Sequence, residues 1–256
     1  VQDAYRQTAF LLGTDLAIFE RAMNLQAQIV AANAGAARSP QGAALLGFWS
    51  RAYSALSDAC TLLHLGSYAS CPPLLRAACD YIAAQCSLVR DGFDEYVAWF
   101  EGAAAQDREH QALAFELGRF RAGSVIAEDE RLAPVYRLLT DLAMPHFGAT
   151  ALLTAPETGL QRLALTFGDQ AFHLAWAELA AGWLLLLADA QAATAAGAGV
   201  FTLDEALQSE LAAVSRETAA ALANGRRARA EEMDGRFLIH NFRRSPAGAP
   251  RRVVLG

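Results

Sequence analysis

Lysine is missing from this chain: all 21 basic residues are arginine. A GC-rich coding composition favours Arg and Ala codons, so this absence speaks of a GC-rich genome and not of an activity. Strand-like alternation is nearly absent before the last twenty residues, which rules out a β-rich fold. Cysteine is scarce, at positions 60, 71, 79 and 86, and no C-x-x-C pair occurs. A core of this size needs no disulfides, so these thiols read as small hydrophobes in a reducing cytosol. No run of 18 residues is free of charge. The most apolar run, Leu179 to Ala188, is bounded by Glu178 and Asp189 and is too short to span a bilayer. It reads as a buried core helix, and no membrane partner is expected. G-x-S-x-G, P-loop, H-E-x-x-H and dinucleotide fingerprints are all lacking, which removes the enzyme classes built on them. The chain opens on Val1 and not Met, so a preceding segment or cleaved leader is left open.

What is present points to helices. The 256 residues allow one large domain or two small ones, and 54% of them are hydrophobic. The excess is mostly Ala and Leu, the best helix formers. The pattern predicts an all-α, multi-helix bundle over 1–225. A basic tail over 226–256 follows, either extended or folded as a short β-hairpin. The net charge of −6 argues against nucleic acid as a partner. Residues 226–252 hold eight Arg against three acids, a local charge of +5 that leaves −11 elsewhere. Opposite charge should hold this tail on the protein's own acidic surface or on a neighbouring copy, with Phe237, Ile239 and Phe242 supplying apolar contact.

Periodicity places the elements. Leu12, Leu16, Phe19, Met23 and Val30 mark one helix over about 3–32. A second, over about 43–65, carries Leu45, Trp49, Tyr53, Leu56, Cys60 and Leu63 and ends at Gly66, a C′ glycine. A third starts near Ser70 with Pro72 and Pro73 in its first turn, where a missing N–H costs least. Asp91-Gly92 ends it. A short helix holding Tyr96 and Trp99, a charged one over about 105–122 and another over about 128–143 come next. Residues 144–158 read as a connection. The longest helix is predicted over about 158–194, and the last opens on a capping box at Thr202-Leu203-Asp204-Glu205. Phe237-Leu238-Ile239 and Val253-Val254-Leu255 are the hairpin candidates.

Polar chemistry interrupts the Ala/Leu background in few places. Arg76 and Asp80 stand at i and i+4, on one helical face. They read either as a surface ion pair or as a site in which Arg clamps an anion or carboxylate. His146, after Pro145, either caps the helix before it or faces Arg76 and Asp80, with Tyr136 and Thr140 joining. Asp107-x-x-His110 with Glu116, and Asp169-x-x-x-His173 with Glu178, touch on carboxylate-bridged metal bundles, but neither has the Glu-x-x-His spacing such centres need. Cys60 and His64 share a face without the further ligands of a zinc site. No metal and no cofactor is assigned.

The order of these features resembles an uncharacterised bacterial all-helical family, a domain of unknown function. In that family a helix ends in a Gly-x-Tyr turn, the next carries Leu, Arg and an acid, and a later tyrosine-containing helix leads to a His. The matching residues are Gly66, Tyr68, Leu75, Arg76, Asp80, Tyr136 and His146, within about residues 45–190. The family has Glu at Asp80 and Ser at Thr140. The resemblance implies a helical fold and a polar site: Arg76, Asp80 and His146 as catalytic candidates, Tyr68, Tyr136 and Thr140 as binding candidates. It supplies no activity. The family is in turn distantly similar to helical nucleases of toxin and defence systems, which carry Arg and His with four to six residues between them. Here the intervals from Arg108 to His110, Arg236 to His240 and Arg137 to His146 do not match. The expectation is a cytosolic helical-bundle protein that binds a protein partner or a small ligand, with self-association left open. The alternative is a hydrolase or ribonuclease-like enzyme with His146 as acid/base and Arg76 as electrostatic stabiliser.

Overall fold

A computed structural model describes residues 2–35, 39–90, 93–105, 122–154, 165–242 and 252–256. The helices are α1 (Gln2–Leu11), α2 (Gly13–Ala32), α3 (Pro40–His64), α4 (Cys71–Arg90), α5 (Asp94–Ala105), α6 (Ala122–Ile126), α7 (Ala133–Ala143), α8 (Phe147–Thr154), α9 (Leu174–Gly197) and α10 (Glu205–Leu222). Strands β1 (Arg229–Met233), β2 (Arg236–His240) and β3 (Val253–Leu255) form one antiparallel sheet in the order β1-β2-β3. The fold is all-α with a small sheet at its C-terminal side.

The central element is α9, which packs against α2, α3, α4 and α10. Apolar residues cover it nearly all round, and most of them are buried. It is the one helix among the described residues long and apolar enough to cross a membrane, and 67% of its apolar window is buried inside the protein. Such all-round burial is what a core helix shows. Leu56, Leu63, Leu75, Ile82, Leu138, Leu139 and Leu184 fill the main core at 0–1% exposure. Each such side chain contributes roughly 1.5–3 kcal/mol on burial. A second cluster, around Leu25, Ile29, Leu45, Trp49 and Phe201, closes one end of the bundle.

Several polar groups inside are paired, as burial demands, while the hydroxyls of Thr8 and Thr218 count among the few buried polar atoms of the described residues with no partner. Gln26 accepts from Trp49 Nε1 at 2.7 Å, and the amides of Gln85 and Gln191 exchange bonds of 3.1 and 2.8 Å. Arg227, 6% exposed, donates to the Glu178 carbonyl at 2.8 Å and pairs with Asp15 at 3.0 Å. Glu178 in turn accepts from the Ala228 N–H at 2.7 Å. Phe237, Ile239 and Phe242 sink into the main core, and Phe242 meets Trp176 edge-on. Charge works in both directions here: Arg227 reaches an acid of the body, but Arg137 of the body reaches Glu232 of β1.

Several predicted boundaries shift. The first predicted helix is two, broken at Leu12, whose φ of −113° and ψ of 15° are not helical, just before Gly13. Of the helix predicted over about 158–194, residues 158–164 lie outside the described residues and α9 begins at Leu174. Residues 165–173 turn instead, with Gly168 at φ +62° and Asp169 accepting from the Ala171 N–H at 2.8 Å. Such a local side-chain bond competes with helix. Asp129 does the same by accepting from Arg131 and Leu132, which delays α7 to Ala133. The predicted connection over 144–158 contains α8, restarted after Pro145 by a bond from Thr150 N–H to the His146 carbonyl. The N-cap of α10 is Asp204, accepting from Leu207, and not Thr202. β2 and β3 pair as expected, Phe237 opposite Leu255 and Ile239 opposite Val253, but β1 has no counterpart in the sequence reading. The charged helix predicted over 105–122, with Asp107, His110 and Glu116, lies almost wholly outside the described residues.

Candidate functional site

Of the six predicted site residues, three come together. Arg76 on α4 stacks over the Tyr136 ring of α7, its guanidinium carbon 5.6 Å from the ring centre. Its Nη2 lies 3.4 Å from the Tyr136 hydroxyl and 3.8 Å from the Asp80 carboxylate. The last distance is an ion pair and not a hydrogen bond. Both charged side chains are 33% exposed, and Nε of Arg76 is buried with no partner. Burial pushes the Asp80 carboxyl above its usual range, against the opposing pull of Arg76 and Tyr136. The pair stabilises α4 by no more than a few tenths of a kcal/mol, about the value of an exposed helical pair.

The other three stand apart. Thr140 turns its hydroxyl back to the Tyr136 carbonyl, at 2.8 Å, and so satisfies itself within α7. His146 is 59% exposed and its nearest charge is Asp141, at 4.0 Å. No hydrogen bond or ion pair joins it to Arg76 or Asp80 among the described residues. Tyr68 is buried 5% exposed in another place, where its hydroxyl accepts from the His173 N–H at 3.4 Å.

That other place has the more developed geometry. Helix α3 ends in a Schellman turn: Ser67 N–H bonds the Leu62 carbonyl and Gly66 N–H the Leu63 carbonyl, with Gly66 at φ +73°. A single 3-10 turn over Tyr68–Ser70 then leads into α4. The segment 165–173 lies across this turn. A Cβ on Gly66 would stand 2.7 Å from the Gln170 carbonyl oxygen, so only glycine permits the approach. Gln170 donates to the Ser67 hydroxyl at 3.3 Å. His173 Nε2 meets Asp169 Oδ2 at 2.7 Å, with the side chains 15% and 14% exposed.

Between the turn, the end of α8 and the segment lies a cavity of about 260 Å³. Ser67, Tyr68, Ser70, Asp169 and His173 line it, with Trp176 beside them. Trp176 is 2% exposed and its Nε1 has no hydrogen-bond partner. Burial acts to raise the Asp169 carboxyl, but the Ala171 N–H and His173 outweigh it and hold the group below the usual carboxylate range. Burial pushes the Tyr68 hydroxyl up to about 12. Two thiols nearby are no nucleophiles, since burial raises Cys60 to about 11 and Cys71 to about 12. No group of three or more His, Cys, Asp or Glu could hold a metal ion among the described residues.

A hollow of about 370 Å³ also lies on the sheet, beside Met233, Arg236 and Val254. It carries no hydrogen-bonded pair comparable to Asp169–His173. Sequence reasoning reached Tyr68 through the Gly-x-Tyr turn, and reached Asp169 and His173 only as a spacing tested for metal. It missed Ser67, Ser70 and Trp176. The density of hydroxyls in Gly66-Ser67-Tyr68-Ala69-Ser70, beside a helix-terminating glycine, was the available signal. Comparison of the chain with protein-family models, with curated proteins and with solved structures finds no match.

Proposed function

We propose that this protein binds a small ligand in the cavity between the Tyr68 turn and the 165–173 segment. The observation that carries the reading is the Asp169–His173 pair. A carboxylate and an imidazole are held at 2.7 Å, mostly out of water, at the wall of an opening large enough for a small molecule. Concave sites with a few fixed polar groups and a perturbed titratable residue are the usual form of ligand pockets. A hydrolase built on Arg76, Asp80 and His146 has less to stand on, because His146 bonds neither of the other two. The resemblance to a helical bacterial family fits the bundle and adds no chemistry to the cavity. The four free cysteines support a reducing, cytoplasmic home.

A thermal-shift screen of a fragment library, run on the protein and on Ser70→Trp, tests the reading. Ser70 is exposed at the rim, so the indole fills the opening without disturbing the core. Hits that raise the melting temperature of the native chain and lose their effect on Ser70→Trp are expected. A screen in which no fragment distinguishes the two proteins would refute it.

A further inference from the structure

Taking the cavity as a ligand site, as proposed above, its lining restricts the chemistry of the ligand. Among the described residues no arginine lines it, and the chain has no lysine. The N-terminus of α4, which adjoins it, is a poor anion site: Pro72 and Pro73 remove two of the N–H groups that a helix start would offer. A phosphate or carboxylate therefore meets the Asp169 charge with no arginine beside it among the described residues. An aliphatic ligand fares no better, since it would cover the hydroxyls of Ser67, Ser70 and Thr166 and leave them unbonded to water.

The same lining suits a neutral, hydroxyl-rich ring. Hydroxyl side chains donate and accept at once, as sugar hydroxyls do. Each Asp169 oxygen accepts one bond from the protein, from Ala171 N–H or His173, and a carboxylate oxygen has a second lone pair to offer. Trp176 Nε1 is a buried donor without an acceptor behind this wall, a condition that costs about 1–3 kcal/mol. The half-buried His173 ring, packed edge-on against Tyr68 at 6.1 Å, adds an aromatic surface against which the C–H face of a ring can pack. The volume, about 260 Å³, lies just below the usual range of ligand cavities, about 300–1,000 Å³, which suits one ring and not a nucleotide. We propose that the cavity binds a neutral monosaccharide.

Saturation-transfer NMR and calorimetry on the full chain decide this, with D-glucose, D-galactose and D-mannose as probes. Gluconate and glucose 6-phosphate serve as charged counterparts, and adenine as a flat, neutral heterocycle. At least one hexose should bind, its charged counterpart about tenfold more weakly or worse, as expected from one lost or opposed charged hydrogen bond. Asp169→Asn should weaken the hexose by about tenfold, and Ser70→Trp should abolish binding. Thr166→Val, at the exposed rim, should weaken it by a smaller factor without touching the fold, which separates ligand contact from structural damage. The inference is overturned if no hexose binds while adenine or another fragment does in a Ser70→Trp-sensitive way. The ligand-binding reading then stands and only the saccharide is lost. Charged counterparts that bind as tightly as the hexoses, or hexose binding indifferent to all three substitutions, overturn it as well. Loss of the ligand-binding reading itself would show differently, as silence from every fragment class.

Discussion

Gly66 meets two demands at once. Its φ of +73° closes α3, and the absence of a Cβ admits the Gln170 carbonyl, with Ala4 pressing from a third side at 3.0 Å. Gly66→Ala should therefore cost on the order of 1–3 kcal/mol, seen as a lower urea midpoint. Gly199 shares the backbone conformation, at φ +70°, but has nothing within 4 Å of a built Cβ. Gly199→Asn should be nearly neutral, and Gly66→Asn should not, since Asn tolerates the dihedral but not the collision. The two carboxylates near the candidate sites should respond to pH in opposite senses. Asp169 titrates low in the folded protein, so the stability it contributes is present above the unfolded value of about 3.9 and is lost as pH falls through the folded one. Asp169→Asn should melt earlier at neutral pH and converge with the native chain in acid. Asp80 titrates high, so its ionisation opposes folding above that raised value and costs nothing below the unfolded one. Asp80→Asn should be equal to or more stable than the native chain at neutral pH, by less than about 1 kcal/mol, with the difference vanishing in acid. A clearly less stable Asp80→Asn at neutral pH would mean that the Arg76 pairing outweighs burial.

Elements were legible where their causes are local. Gly66 as a helix stop, Pro72-Pro73 in a first turn, and the stripe of Leu75, Cys79, Ile82 and Cys86 are all set within a few residues, and α3 and α4 follow them. The 165–173 segment was not legible. Leu160, Leu163 and Phe167 recur at helical spacing in the sequence, and over 165–173 the Asp169 turn, together with contacts to residues a hundred positions earlier, takes the place of a helix. The Arg76–Tyr136 contact was half visible, as two faces with no stated distance between them, whereas the Tyr68–His173 contact needs the fold. β1 was missed for a different reason. Arg229-Ala230-Glu231-Glu232-Met233 has helix-forming composition, and its membership of the sheet comes from Asp234-Gly235, both at positive φ, a two-residue hairpin turn. That dipeptide was the signal. Because Ile239 is fully buried among the helices, Ile239→Ala should cost about 2–5 kcal/mol. Far-UV circular dichroism should then show the helical transition itself moving to lower denaturant. Helices that melt at an unchanged midpoint would make the sheet a separable appendage.

In the whole molecule the excess negative charge is matched by unevenness and not by a basic face. Arg227 and Arg137 are taken up in ion pairs, each across the boundary between bundle and sheet. With a net charge of −6 and those cations engaged, no duplex or single strand should bind with micromolar or tighter affinity at physiological salt. A gel-shift titration that finds such affinity, lost on deletion of residues 226–256, would restore nucleic acid as a partner.

The guanidinium of Arg227 also sets an order of events during synthesis. It bridges Asp15 near the beginning of the chain to the backbone of α9, and the strand that follows seals Trp176 with Phe242. Helices emerging first from a ribosome can form, but the face of α9 that will hold Glu178 and Trp176 stays wet until residues beyond 227 have left the exit tunnel. Nascent chains of this protein thus pass through a stage with an exposed apolar helix, the kind of surface that chaperones capture. Stalled chains ending before residue 227 should be bound by such factors, and chains long enough to place Phe242 outside should be released.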